Sequence, residues 1–128
     1  MDEFTIHIPR ERPFSAVADL VVGGIAARHD VTLDVLDDLQ LALDSVLEHD
    51  DADDGEVGIV VRVEGDTIEA AVGPLAPATV AVLKAEAGDG VGLRRLLEMT
   101  MDSVTLSERD GDPWVELRKS STLAGRQS

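Results

Sequence analysis

The chain has 128 residues, the size of one compact domain, and it is 44% hydrophobic but only 2% aromatic, so its core must be assembled from Val, Leu, Ile and Ala. With 26 acidic against 11 basic residues, the formal charge of −15 repels nucleic acid and anionic lipid, which argues against direct binding to either. Cysteine is absent, which excludes disulfides and thiolate metal sites; the longest apolar stretch, Leu20 to Ala27, is too short to span a bilayer, and Met1-Asp2-Glu3-Phe4 does not open a signal peptide, so a cytoplasmic protein with no membrane partner is expected.

Residues 3–8 alternate, with Phe4, Ile6 and Ile8 on one face, which predicts a half-buried strand ended by Pro9. Ser15 is placed to cap a helix whose apolar positions include Val17, Leu20, Val21, Ile25 and Ala26. Gly23-Gly24 inside that helix costs about 1 kcal/mol per glycine against alanine and is expected to mark a close packing point. Asp34 is expected to cap a second helix, with Leu36, Leu39, Leu43, Val46 and Leu47 at helical spacing. That helix runs out in His49-Asp50-Asp51-Ala52-Asp53-Asp54-Gly55, a polar loop.

Two strands follow, Val57–Val63 and Thr67–Val72, joined at Gly65-Asp66. Gly73-Pro74-Leu75-Ala76-Pro77 breaks the pattern, and residues 78–86 read as a short helix. Val91–Met101 is predicted helical, with Leu93, Leu96, Leu97 and Met101 inward. A second hairpin, Val104–Ser107 with Trp114–Leu117, turns at Asp110-Gly111, and residues 120–128 are expected to be a disordered tail. The order predicts a single domain over residues 1–119. Its class is an α/β two-layer sandwich, a mixed, mostly antiparallel sheet with helices on one face.

Gly88-Asp89-Gly90-Val91-Gly92-Leu93 opens the last helix. Glycines there let backbone N–H groups approach a phosphate, and the helix dipole favours an anion. Four segments carry a family resemblance across nearly the whole chain. They are Ile8-Pro9 before the first long helix, Asp38-Leu39-Gln40-Leu41-Ala42-Leu43-Asp44, Gly88–Leu93, and the Leu96–Val104 stretch Leu-Leu-Glu-Met-Thr-Met-Asp-Ser-Val. In this order they resemble the small GHKL (Bergerat-fold, histidine-kinase-type) ATPase domains, and among these the RsbW/SpoIIAB-type anti-sigma factor serine kinases.

The resemblance implies a nucleotide site, and the chain departs from it. The family's second helix presents a glutamate as base and, four residues on, an asparagine for Mg²⁺, both on one helix face. Ser45 and His49 stand at those positions. Serine cannot be that base, and Mg²⁺ prefers oxygen to imidazole. The first glycine box, Asp-x-Gly-x-Gly, becomes Ala71-Val72-Gly73-Pro74-Leu75, without the adenine-reading aspartate. Gly73, Gly88, Gly90 and Gly92 are left as a remnant nucleotide site with no catalytic residue and no metal ligand, and no cofactor is expected. The implied function is a non-catalytic anti-sigma-like regulator that contacts a sigma factor, a STAS-domain antagonist or both, in the family usually as a homodimer. The alternative is an active serine kinase using ATP and Mg²⁺, and a third reading is a scaffold module in a signalling assembly.

Three other features stand on the residues alone. Asp44 and Glu48 are also four apart, but Asp44 is displaced by one position, about 100° around an ideal helix, from the family's acid. The acidic run after His49 lacks EF-hand spacing and reads as a solvated loop. Trp114, the only tryptophan, alternates away from Val115 and Leu117, which makes it a candidate contact anchor or a partly buried ring.

Overall fold

Strands of alternating apolar character need a second layer, and among the described residues helices cover one side only. The computed structural model describes residues 2–9, 15–29, 31–49, 56–65, 67–84 and 92–120. Five strands, β1 (Asp2–Pro9), β2 (Glu56–Glu64), β3 (Thr67–Gly73), β4 (Ser103–Arg109) and β5 (Asp112–Ser120), form one sheet in the order β1-β2-β3-β5-β4. Every pairing is antiparallel, so the parallel component allowed for by a mixed sheet does not occur among the described residues. The last hairpin joins through β5 rather than β4, which places Val72 beside Val115.

Four helices, α1 (Ser15–Arg28), α2 (Leu33–His49), α3 (Pro77–Lys84) and α4 (Leu93–Thr100), line the covered face. The core is aliphatic, as the composition requires. Ile8, Val57, Ile59, Val61, Ile68, Val72, Val115 and Leu117 from the sheet meet Val22, Leu39, Leu43, Val46, Leu83 and Leu97 from the helices. Phe4, Ile6, Val104 and Leu106 extend it, partly buried, along the edge strands. Lys119 also points to this side. Its Nζ donates to the Thr100 carbonyl at 2.8 Å and lies 3.1 Å from Asp38, tying β5 to the end of α4 and to α2.

Several local expectations change. The cap of α2 is Thr32, whose Oγ1 accepts from the Val35 N–H at 3.3 Å; Asp34 sits one residue inside the helix. In α1 the buried positions are Ala18, Val22, Ile25 and Ala26, whereas Leu20 is 74% exposed and Val17 40%. The helix is apolar nearly all round, so spacing alone could not choose its buried face. Only Gly23 of the glycine pair faces α2, 3.6 Å from Gln40 Nε2 measured from an added Cβ; Gly24 looks into open space. The β4–β5 turn has Asp110 at φ 54° and Gly111 at φ 85°, the paired positive values of a type I′ hairpin. Within the described residues, the helix expected over 91–101 spans Leu93–Thr100 and the one expected over 78–86 spans Pro77–Lys84; residues 85, 86 and 91 lie outside the described residues.

Candidate functional site

Ser45 lies on α2 and is half-buried. Its Oγ donates to the Leu41 carbonyl at 2.8 Å, so the hydroxyl is folded back onto its own helix. His49 is the last residue of α2. Gly88 and Gly90 lie outside the described residues. Gly92 is the residue before α4, in extended backbone at φ −113°, with its carbonyl accepting from the Leu96 N–H at 3.1 Å. Among the described residues, no three His, Asp or Glu side chains converge as a cation cage.

Ala71 does not join Ser45. Val72 and Ala70 point into the core beneath the helices, so Ala71, between them, projects to the opposite face of the sheet. The β3 side chain that meets the helix layer at this level is Val72, which is fully buried. A nucleotide between α2 and the sheet would therefore meet a methyl-lined wall here.

The face of the sheet opposite the helices carries Gly73 and Trp114. The half-buried indole lies across Gly73 and Gly58. A Cβ added at Gly73 would come within 2.5 Å of Trp114 Cγ and Cδ2, and one at Gly58 within 3.1 Å of Cη2 and 3.3 Å of the His7 ring. The Arg109 guanidinium stacks on the indole 5.1 Å from a ring centroid. Glu116 accepts from Ser107 Oγ at 2.8 Å and from Arg109 at 3.5 Å. Below them Glu69 lies 3.9 Å from Arg62 and 3.7 Å from Arg118. A shallow groove of about 200 Å³ runs between these rows, lined by Val60, Arg62, Ala71, Thr105, Glu116 and Arg118. Gly73 is thus a platform for an aromatic ring. The glycines Gly58 and Gly73 gave no sequence signal for this, because the indole reaches them from a strand more than forty residues away.

Sequence reasoning missed Asp19, the only charged residue between Ser15 and Ala27. It faces Asp44 across the α1–α2 seam. Asp19 Oδ1 and Asp44 Oδ1 are both buried without a donor. That arrangement is satisfied when one carboxyl keeps its proton and donates it to the other. Burial pushes Asp19 up to about 7, helped by the Asp44 charge and by the shared hydrogen bond. Burial also raises Asp44, with Glu48 adding repulsion and the hydrogen bond from Asp19 opposing it. Gln40 Nε2 donates to the Asp19 carbonyl at 3.0 Å and closes the seam. A lone acid in an otherwise apolar helix was the available clue. Asp44 is therefore engaged with α1 and is not free to serve with Glu48 as a ligand pair.

Compared with known proteins, the sequence matches no family model and no curated protein. No helix among the described residues is long and apolar enough to cross a membrane.

Proposed function

We propose that this protein is a non-catalytic regulatory binding protein of the anti-sigma factor type, acting in the cytoplasm by contact with a sigma factor, a STAS-domain antagonist or both. The observation that carries this reading is the state of α2. At the position where the resemblance calls for a catalytic acid stands Ser45, its hydroxyl turned to Leu41, and the adjacent Asp44 is spent on Asp19. Val72 rather than a carboxylate faces the helices from β3. The strand–helix–helix–strand–strand–helix–helix–strand–strand order with helices on one face supports the same reading, since it is the layout the resemblance implies. A charge of −15 would complement the basic segments of a sigma factor and speed association.

The test is titration calorimetry of the purified chain with ATP and ADP in the presence of Mg²⁺, alongside titration with the sigma factors and STAS proteins of its native host. The expected outcome is no heat at millimolar nucleotide and saturable binding to one of the proteins. Nucleotide binding at micromolar strength, about −8 kcal/mol, together with phosphate transfer to a STAS serine, would overturn it in favour of an active kinase. Binding to neither nucleotide nor protein would remove its support and favour a scaffold role.

A further inference from the structure

α1 is apolar on both of its sides. Ala18, Val22, Ile25 and Ala26 enter the core. On the outer side, every exposed position from Ala16 to Ala27 is apolar as well: Ala16, Val17, Leu20, Gly24 and Ala27. Leu20 stands 74% exposed in a chain of which 29% is charged. A helix that is hydrophobic all round belongs between two covering layers, and the core supplies only one. At Gly24 an added Cβ would meet nothing within 4 Å, so the stripe dips there and a second helix can come close.

α2 lies beside this stripe, joined to it where Gln40 meets Asp19 and Gly23. Its exposed positions flanking that seam are Asp37, Leu41 and Glu48, with Leu33 and Asp34 at its start. Leu33 is 70% exposed and Leu41 48%. Arg28 is the only Lys or Arg in either helix. The hairpin therefore presents an apolar stripe on one helix and, on the other, two leucines set among three carboxylates. A second copy would bring the same carboxylates, and like charges brought together oppose docking; a basic occupant meets them with opposite sign. We propose that the outer face of the α1–α2 hairpin is the docking surface for a basic amphipathic helix of a partner protein. Its apolar side would lie on Leu20, Gly24 and Leu41, and its Lys and Arg side chains on Asp34, Asp37 and Glu48.

The stripe from Ala16 to Ala27 rises about 17 Å, or roughly three turns, which sets the matching length of the partner helix. The acids lie to one side of the stripe, so they fix the side of the partner helix that carries its positive charges. This inference rests on the reading that the chain acts by protein contact, and it names the surface and the chemistry of the partner. It does not depend on the partner being a sigma factor or a STAS protein.

The probe is a synthetic peptide of about 14 residues, Leu and Lys spaced for an amphipathic helix. Calorimetry and amide chemical-shift mapping on the full chain should show saturable one-to-one binding at roughly 10–100 μM, with the shifts concentrated in α1 and α2. Leu20→Asp should weaken it roughly tenfold or more, and so should Asp37→Lys combined with Glu48→Lys. All three positions are exposed, so the variants keep the fold, checked by circular dichroism. Met99→Asp, equally exposed but on α4, should change nothing. No saturable binding, shifts centred outside the hairpin, a scrambled peptide that binds as tightly, or a Leu20→Asp chain that binds like wild type would each overturn the proposal. So would a wild-type dimer that Leu20→Asp dissociates, which would give the face to a second copy. Peptide binding without binding to any sigma factor or STAS protein would keep this surface and remove the anti-sigma reading. Sigma-factor or STAS binding that Leu20→Asp leaves intact, with no peptide binding, would remove this surface and keep that reading.

Discussion

Replacing Asp19 with asparagine should stabilise the protein at pH 8 and leave it unchanged at pH 4. The native α1–α2 seam holds two facing carboxyls with buried, donorless oxygens. Asp19 is raised from 3.8 to about 7, by burial first and by Asp44 second. The folded state therefore retains a proton that the unfolded chain releases near pH 4. With more protons bound in the folded state, stability is fully present below pH 3.8 and falls as pH rises through about 7. At 1.36 kcal/mol per pKa unit the full shift would correspond to about 4 kcal/mol, but both side chains are only half-buried, so solvent screening reduces this to about 1–2 kcal/mol. The Asp19→Asn amide carries no charge and supplies an N–H donor to Asp44 at every pH. For a domain of this size the gain at pH 8 corresponds to a Tm increase of roughly 5 °C, read by far-ultraviolet circular dichroism in paired melts at pH 4 and pH 8. An equal shift at both pH values, or a lower Tm at pH 8, would refute the shared-proton account.

Two further perturbations test the layers on either side of the sheet. Gly73→Ala places a Cβ 2.5 Å from the indole and should displace Trp114, shifting its emission to longer wavelength and costing about 1–3 kcal/mol; Gly58→Ala, with a 3.1 Å contact, should do less, and unchanged emission in both would place the ring elsewhere. Lys119→Met keeps the aliphatic stem but removes the donor to Thr100 and the partner of Asp38, and should lower the urea midpoint by the equivalent of about 1–3 kcal/mol, whereas an unchanged midpoint would mean that the β5–α4 tie contributes nothing.

Much of the architecture was legible because it is repetitive or stereochemically constrained. Alternation of Phe4, Ile6 and Ile8, and of Val115 with Leu117, assigned strands and inward faces correctly, and Asp110-Gly111 named the hairpin turn through the positive φ both residues adopt. The spacing of Leu39, Leu43 and Val46 likewise set the buried side of α2. Where the local signal was degenerate, reading failed. In α1 almost every position is apolar, so Leu20 looked as inward as Val22. At the start of α2, Thr32 and Asp34 are both competent caps, and only the backbone path distinguishes them.

The candidate site was the least legible part, because it depends on which elements become neighbours. Assigning Ala71 to the same pocket as Ser45 required knowing the side of β3 that the helices cover; alternation tells that Ala71 and Val72 oppose each other, not which of them faces α2. The sequence by itself determined the elements, the aliphatic core and the acidic charge, since each is a property of single residues or of one element's period. The tertiary structure alone decided that β5 inserts between β3 and β4, and with it that Trp114 covers Gly73 and that Glu69 lies between Arg62 and Arg118; the packing of α1 on α2 decided that Asp19 meets Asp44. These are contacts between residues far apart in the chain, and long-range pairing is selected by the packing of the whole domain rather than by any local pattern.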